Sequence, residues 1–261
     1  MISFFYNFPY PIQALIASLF TFSITSLGAS IVFLFKKTNT KVIHILLALS
    51  AGIMLAATFW SLLEPSIEMS NKLKMIPWLV CSLGITLGTL FLIIGDKVFS
   101  KYQKEKEKLN KIFILIFSIT LHNIPEGLAI GVAFGSLKYN LDGVTLLSAI
   151  SLAIGIGIQN FPEGSAISLP LRSYGYSRTK AFLIGMLSGL VEPISAVIGA
   201  ILVIKIRYIL PYLLAFAAGA MLYVIIKELI PESTQKEKGT FIPFITIIGF
   251  LIMMILDISI G

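Results

Sequence analysis

Charge is distributed so unevenly along this 261-residue chain that long stretches carry none: 1–35, 42–63, 75–95, 112–125, 127–137, 143–162, 181–191, 193–204, 208–226 and 239–256. A helix needs about 20 apolar residues to cross a bilayer. Joining the stretches that one glutamate divides gives eight spans, at about 12–35, 42–64, 76–95, 112–136, 143–171, 179–204, 208–230 and 241–260. The chain as a whole is 57% apolar and 13% charged, against about 25% charged in soluble domains. A soluble globular fold is thereby excluded, and the short connectors leave no room for a sizeable soluble domain. The expected fold is a single all-α transmembrane domain whose chemistry lies inside the membrane.

The net charge of +7 belongs to connectors and not to a basic face that would bind nucleic acid. Fifteen Lys and Arg residues fall in connectors 1–2, 3–4, 5–6 and 7–8, against five (Lys72, Lys74, Lys138, Lys205, Arg207) on the other side. Short basic loops stay in the cytoplasm, so both termini are expected outside. Before Lys36 there is no basic residue to make the n-region of a cleaved signal peptide, and the first span is expected to be retained. The longest connector, a cytoplasmic loop over 96–111, mixes both charge signs without His or Cys, as suits a solvated loop that can be helical. A lone Cys81 excludes an intramolecular disulfide and a cysteine metal cluster.

Compared with itself, the chain repeats. His122-Asn123-Ile124-Pro125-Glu126-Gly127-Leu128-Ala129-Ile130 returns 37 residues later as Gln159-Asn160-Phe161-Pro162-Glu163-Gly164-Ser165-Ala166-Ile167, with six of nine positions identical. Ala51-Gly52-Ile53-Met54-Leu55 matches Ala218-Gly219-Ala220-Met221-Leu222, and each is followed by an acidic-proline pair, Glu64-Pro65 and Pro231-Glu232. Spans four and five run in opposite directions, as do two and seven. Many transporters are built from such inverted repeats, with the substrate site near the midplane. The expected arrangement is 3+2+3: spans 1–3 and 6–8 related by a pseudo-twofold, with four and five between them.

Ionisable residues within the membrane are costly and mark functional sites. Here they are Glu126, Glu163 and Glu192, with no Lys or Arg in the apolar runs on either side to neutralise them. His122 and Glu126 are spaced i,i+4 and share a helix face, with Asn123 on the adjoining side. The fifth span repeats the pattern with Gln159, Asn160 and Glu163. Two Glu, one His, two Asn and one Gln suit divalent metals of intermediate hardness. Pro125 and Pro162 lack an amide donor and crowd the carbonyl four residues back, which frees or tilts the carbonyls of Leu121 and Ile158. Glu192, before Pro193, supplies a third carboxylate. Packing alone does not ask for such carboxylates, although Gly127, Gly131 and Gly135 do read as a close-packing ridge. Met54 is a thioether whose common role is core filling. Glu64, Glu68, Glu228 and Glu232 sit at span ends, and His44 and Asp257 read as interfacial. An intramembrane metallohydrolase is the alternative, but the zincin motif H-E-x-x-H is missing. A purely structural scaffold leaves the three buried glutamates unexplained.

The paired H-N-x-P-E-G and Q-N-x-P-E-G, in the fourth and fifth of eight spans, resemble the ZIP (Zrt-/Irt-like) metal transporters, particularly their prokaryotic GufA-like branch. AGIMLAATFWSLLEP and AGAMLYVIIKELIPE are similar to that branch as well. The resemblance implies a homodimeric secondary transporter in the plasma membrane, the inner membrane if bacterial, and not an enzyme. It would move zinc, and also cadmium, iron(II) or manganese, toward the cytoplasm by an elevator-like motion of spans 1, 4, 5 and 6 against 2, 3, 7 and 8. It also implies a two-metal site. One metal would take Met54, His122, Glu126, Gln159, Glu163 and Glu192; the second would take Asn123, Asn160 and the bridging glutamates. The family often has Asp where this chain has Asn160, one negative charge fewer. Many relatives carry a His-rich cytoplasmic loop, and 96–111 is not one.

Overall fold

A computed structural model of the chain describes residues 8–34, 40–102, 107–139, 145–234 and 241–260. Among these residues every regular element is helical. They are α1 (Tyr10–Ser30), α2 (Thr40–Ala57), α3 (Glu64–Lys72), α4 (Pro77–Tyr102), α5 (Glu107–Leu137), α6 (Leu146–Ser173), α7 (Arg178–Ser188), α8 (Val191–Ile201), α9 (Val203–Val224), α10 (Ile230–Thr234) and α11 (Phe241–Ile260). Six stretches are long and apolar enough to cross a membrane: Tyr10–Leu34, His44–Lys72, Pro77–Val98, Arg178–Ile201, Val203–Thr234 and Phe241–Ser259. The other two long helices, α5 and α6, hold the polar repeat. α6 is buried at almost every position from Ile156 to Leu171.

Several local features depart from the simplest reading of the sequence. Most of the 96–111 connector is helix, since α4 continues to Tyr102 and α5 starts at Glu107; 103–106 lie outside the described residues, as do 143 and 144 of the fifth span. Lys205 and Arg207 stand in the first turns of α9. Both α5 and α6 run unbroken through Pro125 and Pro162. The sixth span does break, between α7 and α8 at Gly189 and Leu190, immediately before Glu192 in the first turn of α8.

Four helix pairs pack most extensively: α1 with α6, α5 with α8, α4 with α9, and α2 with α11. Exchanging α1 with α7–α8, α2 with α9, α4 with α11, and α5 with α6 turns the first pair into the second and the third into the fourth. Glycines make these approaches close, because a Cβ would strike the facing backbone. Gly127, Gly131 and Gly135 face the carbonyls of Glu192, Ala196 and Ala200 on α8; Gly164 faces that of Thr25 on α1; Gly52 and Gly219 face those of Thr246 and Ile85. The ridge read on the fourth span is thus a helix contact. A π-helical turn follows α2 at Thr58–Leu63 and another follows α9 at Ile225–Leu229. The 167-residue interval from Ala51 to Ala218 also separates the starts of these two turns.

Two apolar clusters bracket the polar repeat. One gathers Ile119, Ala166, Ile167, Leu169 and Leu171 with Met54 and Met221. The other gathers Ile130, Phe134, Leu146, Ala149, Ala153 and Ile156 with Ala14 and Ala17. Residues 122–126 and 159–163 therefore form a polar layer between two apolar ones.

Candidate metal centre

α5 and α6 meet at the polar layer. The i,i+4 register brings His122 Nε2 to 3.1 Å from Glu126 Oε1, and the facing helix brings Glu163 Oε1 to 3.2 Å from the same nitrogen. The ligand atoms of these three residues lie within 4.8 Å of one another, and all three side chains are buried. Gln159 Nε2 donates a hydrogen bond to Glu126 Oε1. Four of the eight residues singled out in the sequence thus form one contact set.

A second set lies beside it. Asn160 Nδ2 donates to Glu192 Oε2 at 2.8 Å, and Thr21 Oγ1 on α1 donates to Glu192 Oε1 at 2.8 Å. Asn123 Nδ2 turns to the backbone oxygen of Ser188, at 3.1 Å, where α7 ends. Met54 belongs to the apolar cluster with Ile119 and Met221. The two sets therefore join α1, α5, α6 and α8.

The chemistry of this layer is marked by what its atoms lack. His122 Nδ1, Asn123 Oδ1, Glu126 Oε2, Gln159 Oε1, Asn160 Oδ1 and Glu163 Oε2 are buried without a hydrogen-bond partner. Buried polar atoms are nearly always partnered, and each exception asks for a reason. Here five of the six are oxygens, and among the residues named no lysine or arginine offsets the carboxylates. Chemically, such an arrangement suits a cation that accepts oxygen and imidazole donors.

A cavity lies along α6 on one side of the layer. Its volume is about 800 Å³; it is lined by Glu64, Glu68, Lys72 and Asp257, among others, and follows α6 from Thr145 to Ile158, next to Gln159. Ser61 Oγ donates to Asp257 Oδ1 at 3.2 Å, while Oδ2 is buried without a partner. Asp257 is thus part of this polar lining. His44 is buried as well. At the far end of α6, the phenol of Tyr174 is pushed up to about 12 by burial first, then by the charges of Glu232 and Glu228 and a hydrogen bond to Glu232.

Sequence reasoning missed Thr21 and Ser188. The signal for Thr21 was present: Ser18, Thr21 and Thr25, at i, i+3 and i+7, make one buried polar stripe along the helix.

Fold and site together define a multi-pass membrane protein with a buried histidine and carboxylate cluster. A family profile described as ZIP zinc transporter matches residues 104–257. The human zinc transporter ZIP11 is 34% identical over 95% of this chain and 97% of its own length. The zinc transporter GufA of Myxococcus xanthus is 34% identical over 95% of this chain and 98% of its own, and the zinc transporter ZIPB of Bordetella bronchiseptica is 32% identical over 92% and 79%. The chain belongs to the ZIP family. That family consists of transporters, so the chain is not an enzyme and the intramembrane hydrolase falls away.

Proposed function

We propose that this protein is a secondary transporter that carries divalent transition-metal cations, zinc first, toward the cytoplasm, with cadmium, iron(II) and manganese as further substrates. The observation that carries the reading is the convergence of His122, Glu126 and Glu163 within 4.8 Å, surrounded by buried oxygens without partners. His122, Glu126, Gln159 and Glu163 take the ion first, and Glu192 and Met54 complete its shell. Asn123 and Asn160, with the glutamates between them, offer a second position. The four kinds of ligand present here, imidazole, carboxylate, amide and thioether, together tolerate several metals of intermediate softness.

In this reading the chain crosses the membrane eight times with both termini outside, in a homodimer in the plasma membrane, or the inner membrane of a bacterium. The apolar runs of α5 and α6 are each interrupted by a glutamate, as Glu192 interrupts that of α7–α8. The symmetric exchange of packing partners is what an inverted repeat produces, with α5 and α6 as the central pair. The cavity lined by Glu64, Glu68 and Asp257 then opens outward and collects cations. The apolar cluster around Met54 and Leu169 closes the path inward, so release requires the layer to change its access. An elevator motion of α1, α5, α6 and α7–α8 against the remainder provides that change.

The test is metal accumulation in proteoliposomes loaded with a fluorescent indicator. Wild-type protein should admit zinc, and H122A/E126A should admit none. Equal uptake by wild type and the double variant, at equal protein in the membrane, overturns the assignment of the site.

A further inference from the structure

Glu192 is buried, yet it is not one of the three residues whose ligand atoms cluster within 4.8 Å. Both of its oxygens are occupied by neutral donors, Thr21 Oγ1 and Asn160 Nδ2, each at 2.8 Å. Its position on the backbone suits movement: the helix is interrupted just before it, at Gly189 and Leu190. The Thr21 hydroxyl has a further property. Its one proton also lies within reach of the Ser18 carbonyl, at 2.9 Å. If Glu192 leaves, the hydroxyl turns wholly to Ser18 and keeps an acceptor. Asn160, for its part, keeps Oδ1 without a hydrogen-bond partner while its amide holds Glu192. A carboxylate restrained by a neutral donor that has a second acceptor is held reversibly. One locked to an arginine would not be, since breaking a buried ion pair is far costlier.

We propose that Thr21 is a positioning residue: together with Asn160 it holds Glu192 in reserve beside the His122–Glu126–Glu163 set. The inference rests on the proposed metal site and deepens it. α1 contributes no ligand, but it governs how firmly the ion is retained. While Thr21 holds Glu192, the ion sees two carboxylates and exchanges quickly. Once Thr21 turns to Ser18, Glu192 joins the shell and the ion is retained through the change of access. Removing the hydroxyl therefore shifts Glu192 toward the ion at all times, giving tighter binding and slower turnover. A merely structural hydrogen bond gives the opposite result, since its loss disorders a ligand and weakens binding.

The experiment measures the zinc Kd of the full chain in detergent by competition with a chromophoric chelator, and the KM and Vmax of zinc uptake in proteoliposomes. The variants are T21V, T21S, E192Q, T21V/E192Q and E126A. A hydrogen bond to a charged acceptor is worth about a factor of ten in an equilibrium. T21V should bind zinc about tenfold more tightly, with KM and Vmax falling together. T21S, which keeps the hydroxyl, restores wild-type values. In the E192Q background T21V should change nothing, because the effect runs through that carboxylate. T21A serves in place of T21V if the valine variant does not fold. Unchanged or weaker binding in T21V overturns the inference, as does an equal shift with and without Glu192. Wild-type protein that binds no zinc, or binds it as well after E126A, overturns the site itself and the inference with it.

Discussion

Replacing Gly164 or Gly127 with alanine adds one methyl group where two helices touch backbone to backbone. A Cβ on Gly164 would overlap the carbonyl oxygen of Thr25 and come to 2.7 Å from the amide nitrogen of Ala29; on Gly127 it would overlap the carbonyl oxygen of Glu192 and come to 3.0 Å from that carbonyl's carbon. Ordinary contact begins at 3.4 Å, and backbone cannot swing aside as a side chain can. Overpacking of this kind costs about 1–3 kcal/mol, and contacts with backbone place both sites at about 3. Alanine returns about 1 kcal/mol through its helix propensity. The net loss is about 2 kcal/mol, which lowers Tm by about 4–8 °C for a chain of this size. Gly155 provides the control, since nothing lies within 4 Å of its Cβ position, and G155A should gain up to about 1 kcal/mol. Thermal unfolding in detergent, followed by the loss of monodisperse protein, reads all three. If G164A and G127A prove as stable as wild type, or G155A falls as far as they do, the helix contacts do not hold these pairs together.

Zinc at about 100 times its Kd should stabilise the wild-type protein by about 2.7 kcal/mol, and treatment with a chelator should reverse the gain; equal stabilisation of E126A would contradict the ligand set. Zinc affinity should rise as pH is raised from 5.5 to 7.5, because His122 and the glutamates must be free of protons to bind a metal, and isothermal titration at several pH values measures this; a flat profile would tell against an imidazole and carboxylate shell. For Tyr174, whose phenol is pushed up from 10.0 to about 12, the native state holds its proton more firmly than the unfolded chain. Its contribution to stability is complete below about pH 10 and is lost as pH climbs toward 12, so Y174F should flatten the alkaline part of the stability curve, and identical curves would refute the burial of that phenol beside Glu232 and Glu228.

The polar layer was legible because its information is local. His122 with Glu126 and Gln159 with Glu163 are set four residues apart, so helical geometry alone puts each pair on one face, and the repeat announces that the two faces belong together. Gly127, Gly131 and Gly135 were legible for the same reason, and all three meet α8. What stayed hidden depends on partners distant in sequence. Thr21 and Glu192 are 171 residues apart, and a threonine in an apolar helix usually bonds its own backbone. The break at Gly189 has no proline at the break itself, and Pro193 points to a position inside α8. The π-helical turns leave no compositional trace, because a one-residue insertion in a helix shows itself only against a partner that lacks it.

Those two turns occupy corresponding places in the two halves: the first stands just ahead of Glu64 and Glu68, and the second contains Glu228 and stands just ahead of Glu232. An added residue advances a helix by about 100°, so the acids are swung away from the stripe that packs upstream. One helix can then press glycine against its neighbour and still aim carboxylates elsewhere. Both halves thus carry the same phase shift at the same place. In the proposed inverted arrangement the two turns fall on opposite sides of the membrane, so one local device shapes both mouths of the proposed pathway.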